Sequence, residues 1–304
     1  MKKPILLALL LASHTALAAD AITCDRLREP LEDDSFVIIH EQPDAILPAM
    51  RDACEAALKA DPDNPQLLYQ TGMAYHLLAR HKNLRTLARG EPLPQPLSPS
   101  ALAYWQRAAD NGHPAATYWL ARLTIYKGRG GNREKIKNEL ETLLTRDARF
   151  GHLGLGNWYR VVDGEGNSHR DAAQRHYREA AALGSREGEL EAILLTLYEP
   201  ATRTTALAQL DTLAHSGYLP ALERLGEYHF QQHNDSAFAA VIATLDSHNT
   251  LPAATIADYL QGLALSRSAD SATQAQGRAR MQNAARHGHS RAQTLLAVES
   301  DPWW

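Results

Sequence analysis

An apolar frame that returns five times along the chain, most often closed by glycine, constrains this fold more than any other feature. It is clearest from Gly164 to Gly184: a glycine-rich turn (Gly164, Gly166), an acidic start (Asp171), a stripe at Ala173, Tyr177, Ala180 and Ala181, and a stop at Gly184. The stripe spacing of i, i+4, i+7 and i+8 places these side chains on one helical face. A terminal glycine can take the left-handed conformation that ends a helix. Moving thirty-three residues onward finds Ala206, Leu210, Leu213, Ala214 and Gly217. Further copies read Phe238, Ile242, Leu245, Asp246 and Asn249, then Gly277, Met281, Ala284, Ala285 and Gly288. Upstream lie Leu140, Leu144, Asp147, Ala148 and Gly151, and before them Ala101, Trp105, Ala108, Ala109 and Gly112. The stops are therefore read at Gly112, Gly151, Gly184, Gly217, Asn249 and Gly288.

Between one stop and the next stripe the chain holds a second helical pattern, seen in Pro114 to Tyr126 and Pro220 to Phe230. Each unit is thus a helical hairpin. Small residues recur four positions after a stop, at Ala116, Ala221, Ala253 and Ala292, where neighbouring helices must approach closely. A lone hairpin cannot cover its own apolar face, so successive units must stack with one continuous core.

The G-x-G turn, the following Asp-Ala, and the aromatic and Ala-Ala before the stop resemble the Sel-one-like repeat (SLR) family, relatives of the tetratricopeptide repeats (TPR). In this sequence those positions are Gly164, Gly166, Asp171, Ala172, Tyr177, Ala180, Ala181 and Gly184, with weaker echoes at Gly128, Gly130, Ala108, Ala109, Gly112, Ala284, Ala285 and Gly288. The resemblance spans roughly residues 101–297 and implies an all-α, right-handed solenoid of stacked helical hairpins. It also implies an adaptor or scaffold rather than an enzyme. The units ending at Gly217 and Asn249 depart from the pattern in lacking the G-x-G turn.

The expected organisation is a signal peptide over 1–19, an N-terminal extension over 20–46, a TPR-like capping hairpin with a proline-rich loop over 47–100, repeats over 101–297 and a tail over 298–304. Lys2 and Lys3, the apolar run from Ile5 to Ala12 and the small-x-small Ala16-Leu17-Ala18 read as an export signal. No later stretch has the length to cross a bilayer as an apolar helix. The chain is thus expected to be periplasmic, without an integral membrane segment once the signal is removed. In an oxidising compartment Cys24 and Cys54, the two cysteines, are expected to form a disulfide; two buried thiols are the alternative. The prolines at 92, 94, 96 and 99 fit either a docking arm or a tolerated surface insertion.

Chemistry-bearing motifs are sparse. The formal charge of −4 becomes −6 on loss of Lys2 and Lys3, and no basic cluster is present, which argues against nucleic acid. His229 and His233 have a helical metal-ligand spacing but no third ligand in view. His113, His152 and His289 follow stops and are read as structural. The glycine-rich segment at Asp163 fails the calcium-loop pattern, and no nucleophile elbow or phosphate-binding loop occurs. No catalytic residue, metal ligand or cofactor is expected. The surface candidate is aromatic. Trp119 and Trp158 each lie seven residues after a stop, with Tyr118, Tyr126 and Tyr159 nearby. On a concave face they would suit a peptide or sugar; inter-repeat packing is the alternative, favoured by their helical spacing. The favoured function is an exported scaffold binding another envelope protein or peptide segment. The alternative is a carbohydrate or peptidoglycan binder serving envelope polysaccharide assembly or secretion.

Overall fold

The computed structural model describes Cys24 and residues 43–88, 98–127, 133–162 and 167–299. Among these residues there are fourteen α-helices and no strand. They are α1 (Pro43–Ala60), α2 (Pro65–Ala88), α3 (Pro99–Asp110), α4 (Pro114–Lys127), α5 (Arg133–Leu143), α6 (Ala148–Val162) and α7 (Asn167–Ala182). There follow α8 (Arg186–Leu197), α9 (Arg203–His215), α10 (Leu219–Gln231), α11 (Asp235–Ser247), α12 (Leu251–Ser266), α13 (Ser271–Arg286) and α14 (Ser290–Glu299). Consecutive helices pack as hairpins, giving an all-α solenoid. The expected signal peptide, most of the proline-rich loop and the Trp303-Trp304 pair lie outside the described residues.

The turns explain why the helices break where they do. Gly112, Gly184, Gly217 and Gly288 have φ between 83° and 96°, and Asn249 has φ 47°. Amide donation from His113 to the Ala108 carbonyl (2.9 Å), from Ser185 to Ala180 (2.9 Å) and from His289 to Ala284 (3.0 Å) closes the Schellman loop at three of them. The next helix is then capped from the residue after the stop. Ser185 Oγ accepts from Gly188 N at 2.9 Å, and the imidazoles of His113 and His289 accept through Nδ1 from Ala116 N (3.3 Å) and Ala292 N (3.2 Å). Ala116, Ala221, Ala253 and Ala292 are all completely buried.

Gly151 is not a stop. It lies inside α6, and the buried stripe of α5 is Ile136, Leu140 and Leu143, four residues ahead of the frame read from the sequence. The turn from α5 to α6 closes through Asp147 N donating to the Leu143 carbonyl (2.8 Å) and needs no left-handed residue. Asp147 caps α6 by accepting from Phe150 N at 3.1 Å. Gly151 serves close approach instead, since a Cβ there would lie 2.7 Å from the Leu144 amide nitrogen. His152 therefore follows no stop.

Even-numbered helices touch one another directly, α4 on α6, α6 on α8 and α10 on α12. In a curved stack, same-layer helices approach on the inside, so these form the inner layer and the odd-numbered helices the outer. The curve brings α2 against α13 and α14, where Arg80 donates to the Gly288 carbonyl at 3.0 Å. At the start of the stack Cys24 and Cys54 are joined by a disulfide with Cα atoms 4.9 Å apart, both buried beside Leu47 and Met50.

The interior is divided, not continuous as expected. One cluster runs from Cys24 to Ala192 and is rich in aromatics: Tyr69, Trp105, Tyr118, Trp119, Phe150 and Tyr177 are completely or almost completely buried. The other runs from Leu190 to Ala292 and is chiefly aliphatic. They meet at α8, which gives Ala192 to the first and Leu190, Ile193 and Leu197 to the second. The same helix carries Glu187 and Glu191 toward cationic partners, so part of its buried surface is polar.

Candidate functional site on the inner layer

Two polar clusters tie the inner helices together in threes. In the first, Glu187 stands in the opening turn of α8, where a carboxylate complements the positive helix end. It is 4% exposed and pairs with Arg122 of α4 at 2.5 Å. Arg122 also donates to the Tyr118 hydroxyl (2.7 Å), which donates to Glu187 Oε2 (3.3 Å). Across α6, Asn157 donates to the Tyr118 oxygen (3.4 Å) and accepts from the Tyr177 hydroxyl (2.9 Å). Arg122 thus reaches from α4 to α8 over the helix between them.

The second cluster repeats the idea from α10 to α14. Glu223 and Glu227 lie one turn apart on α10, both buried. The Tyr259 hydroxyl of α12 donates to Glu227 Oε1 at 2.6 Å, Arg224 pairs with its Oε2 at 3.1 Å, and Arg291 of α14 contacts both its oxygens. Glu223 faces His289 Nε2 at 3.5 Å and Arg291 Nε at 3.7 Å. Burial first, and then the Glu223 charge, push the Glu227 carboxyl up to about 7, against the pull of Arg224, the Tyr259 bond and His289. Burial and Glu227 likewise drive the Tyr259 hydroxyl far above its ordinary value.

Between the clusters the inner layer opens into a cleft of about 280 Å³. Leu194 and Leu195 of α8 and Tyr198, just past its end, form its apolar side, and Arg160, Arg224 and Arg291 stand around it. Arg160 pairs with Glu191 at 2.8 Å. Tyr198 is 54% exposed, the highest value among large apolar side chains of the described residues, and its hydroxyl donates to Gln231 Oε1 of α10 at 3.1 Å. Tyrosine and arginine beside aliphatic carbons are a composition found where proteins bind other proteins.

The aromatic residues singled out by spacing sit elsewhere. Trp119 is 1% exposed and stacked on Trp105, with ring centroids 5.8 Å apart. Trp158 is 7% exposed, donates to the Arg133 carbonyl (3.2 Å) and meets Tyr159 edge-on. Tyr159 is half-buried, and the Tyr126 side chain lies outside the described residues. Trp119 follows its stop by seven residues and Trp158 follows Asp147 by eleven, so the two are not equivalent positions. Trp119 and Trp158 pack the interior, the alternative that their helical spacing favours over an exposed patch. Tyr118 alone joins the inner-layer site. His229 and His233 do not share a helix, because α10 ends at Gln231 and His233 has φ 53°.

Glu187, Glu223, Glu227 and Arg291 belong to no motif and escape a spacing argument. The available signal is the placement of Glu223, Arg224 and Glu227 within the apolar pattern of PALERLGEYHF. Charges within such a helix need partners from other helices. Among the described residues no helix is long and apolar enough to cross a membrane, and no group of three or more His, Cys, Asp or Glu can hold a metal ion.

No protein-family model matches the chain, and no curated protein matches it. Among solved structures, it is similar to c5321, a protective antigen present in uropathogenic Escherichia coli strains and displaying an SLR fold. That similarity covers 94% of this chain and 72% of c5321, at 16% identity and a TM-score of 0.30.

Proposed function

We propose that this protein is a non-enzymatic interaction scaffold that holds an extended segment of a protein partner in the cleft between α6, α8 and α10. The exposed Tyr198, standing beside Leu194, Leu195 and three arginines, carries this reading. An aromatic ring at the end of a helix, tied by its hydroxyl to Gln231, supplies contact area at low cost in ordering, and the arginines supply directional donors around it. The cleft lies on an inner layer fixed by buried ion pairs on both sides, so little of the binding free energy is spent on arranging it.

We place this scaffold outside the cytoplasm, with another envelope protein as its partner. The stretch from Lys2 to Ala18 has the character of an export signal, and the Cys24–Cys54 disulfide suits an oxidising compartment. The carbohydrate reading loses its support with the burial of Trp119 and Trp158, since a sugar platform requires an exposed ring face.

A photoactivatable phenylalanine placed at Tyr198, and in a second protein at the exposed outer residue Arg178, tests the proposal in intact cells. A discrete adduct from position 198 that is absent from position 178, and is identified as an envelope protein, supports it. Equal labelling from both positions, or none from 198, removes the cleft as the binding surface.

A further inference from the structure

We propose that the partner segment held in the cleft carries a carboxylate, which takes the place of Glu227 on Arg224 and Arg291. This inference rests on the cleft reading above and names the chemistry of the occupant. Arginines reach the cleft from three inner helices, Arg160 from α6, Arg224 from α10 and Arg291 from α14, whereas two glutamates line it, Glu191 and Glu227. The lining is therefore cationic in a chain whose formal charge is −4. Such a contrast draws an acidic segment to the cleft while the acidic remainder of the chain repels it.

The internal carboxylate marks where the incoming one sits. Arg291 contacts both Glu227 oxygens, and Arg224 pairs with Oε2 at 3.1 Å. The Arg291 and Arg224 side chains are 41% and 25% exposed against 10% for Glu227, so both guanidinium groups are more open to an approaching group than the carboxylate they hold. Arg291 keeps its anchor during the exchange, because its Nε lies 3.7 Å from Oε1 of the buried Glu223. A planar guanidinium matches a carboxylate with parallel donors, and Leu194, Leu195 and Tyr198 alongside take the aliphatic neighbours of the acidic residue.

Glu227 releases its partners by taking up a proton. Facing it are Glu223 and Arg224 of α10, Tyr198 past the end of α8, Tyr259 of α12, and His289 and Arg291 of α14. Burial and then the Glu223 charge already push its carboxyl up to about 7, and a second carboxylate arriving beside it raises it further. The protonated group retains an oxygen to accept from the Tyr259 hydroxyl, which lies 2.6 Å from Oε1. The incoming carboxylate, with an ordinary value of about 4, stays ionised. Binding thus consumes one proton from solvent and strengthens as pH falls from about 8 toward about 6.

Random peptides displayed on phage, selected on the disulfide-bonded full chain, test this. Sequences recovered by the native protein and not by Tyr198→Ala should be enriched in aspartate and glutamate over asparagine and glutamine. A recovered peptide, followed by fluorescence anisotropy, should lose more than about 10-fold in affinity when its acidic residues are replaced by amides, and likewise with Arg224→Gln or Arg291→Gln. It should bind about 3-fold or more tighter at pH 6 than at pH 8. Glu227→Gln, which mimics the neutral carboxyl, should tighten binding at pH 8 and abolish the pH dependence, whereas a merely structural Glu227 would give weaker binding. Neutral or basic sequences recovered through Tyr198, or acidic ones that bind Glu227→Gln more weakly, overturn the exchange and leave the cleft reading standing. Recovery of no peptide that depends on Tyr198 removes the cleft itself, and this proposal with it.

Discussion

The first half of the stack is filled with aromatic rings and closed by a disulfide, whereas the second is filled mostly with leucine, isoleucine and alanine and carries no cross-link among its described residues. Yet both use the same local devices. His113 caps α4 and stacks on Tyr69 at 4.5 Å, and His289 caps α14 and stacks on Tyr259 at 4.1 Å. Each half also spans three inner helices with a buried carboxylate and an arginine. The repeat therefore dictates turns and caps, while the filling between helices is free to vary as long as the volume is occupied.

Truncation of the first core should break this comparison most sharply. Trp105 is completely buried and donates to the Tyr69 carbonyl at 3.3 Å, so Trp105→Ala should cost about 3–5 kcal/mol. In a background with Trp303 and Trp304 replaced by Phe, the remaining tryptophans, Trp105, Trp119 and Trp158, all belong to the first half. Urea unfolding followed by fluorescence and by circular dichroism then separates the halves. Leu260→Ala should shift the dichroism midpoint more than the fluorescence midpoint; coincident curves in every variant would show one cooperative unit.

Loss of the disulfide comes next. Cys54→Ser should destabilise by about 3–4 kcal/mol in the chain-entropy picture for a bond spanning thirty residues, with the fluorescence transition moving and the second half unaffected. Equal movement of both transitions would tie the second core to the first.

The carboxylates sharpen the contrast at smaller magnitude. Glu187→Gln removes the buried carboxylate that pairs with Arg122 and should cost about 2–3 kcal/mol. Glu227→Gln relieves a crowded pair with Glu223 and should cost less than about 1 kcal/mol. Thermal melts of the two variants at pH 7 rank them directly, and the reverse order would contradict the assignment of Glu227 as the carboxylate held high.

The smallest effect is a pH response of opposite sign in the two halves. Burial lowers His113 and His176 to about 4, so their contribution is present above the ordinary histidine value of 6.5 and is lost as pH falls through about 4. Glu227 is raised, so its contribution is present below 4.5 and is lost as pH rises through about 7. Between pH 7.5 and 5.5 the first half should lose about 1 kcal/mol through His113, with less from the half-exposed His176, while the second half gains. His229, also lowered by burial, reduces that gain, and His229→Gln should enlarge it. The two-probe unfolding experiment repeated across this range reads both signs.

Helix spacing and left-handed stops are local properties, and five of the six stop positions were legible from single residues and their neighbours. Gly151 misled because glycine answers two needs, a left-handed turn and a close helix approach, and a sequence does not say which. The same ambiguity affects tryptophan: Trp119 and Trp158 have the spacing of either an exposed platform or a packed seam. Their burial depends on which helices lie beside them. The inner-layer clusters were hidden for a further reason. Arg122 meets Glu187, and Arg291 meets Glu227, across sixty-five and sixty-four residues, a separation at which no periodicity links the partners.

A stack of hairpins ordinarily behaves as a spring, sharing a pull on its ends among many small bends. Here the contact of α2 with α13 and α14, with Arg80 on the Gly288 carbonyl, joins the beginning of the coil to its end. Tension must part that clasp before it can unwind the turns, which converts a compliant element into one with a yield point. Until then the diameter of the coil, and the span offered to whatever sits inside it, is set by geometry rather than by load.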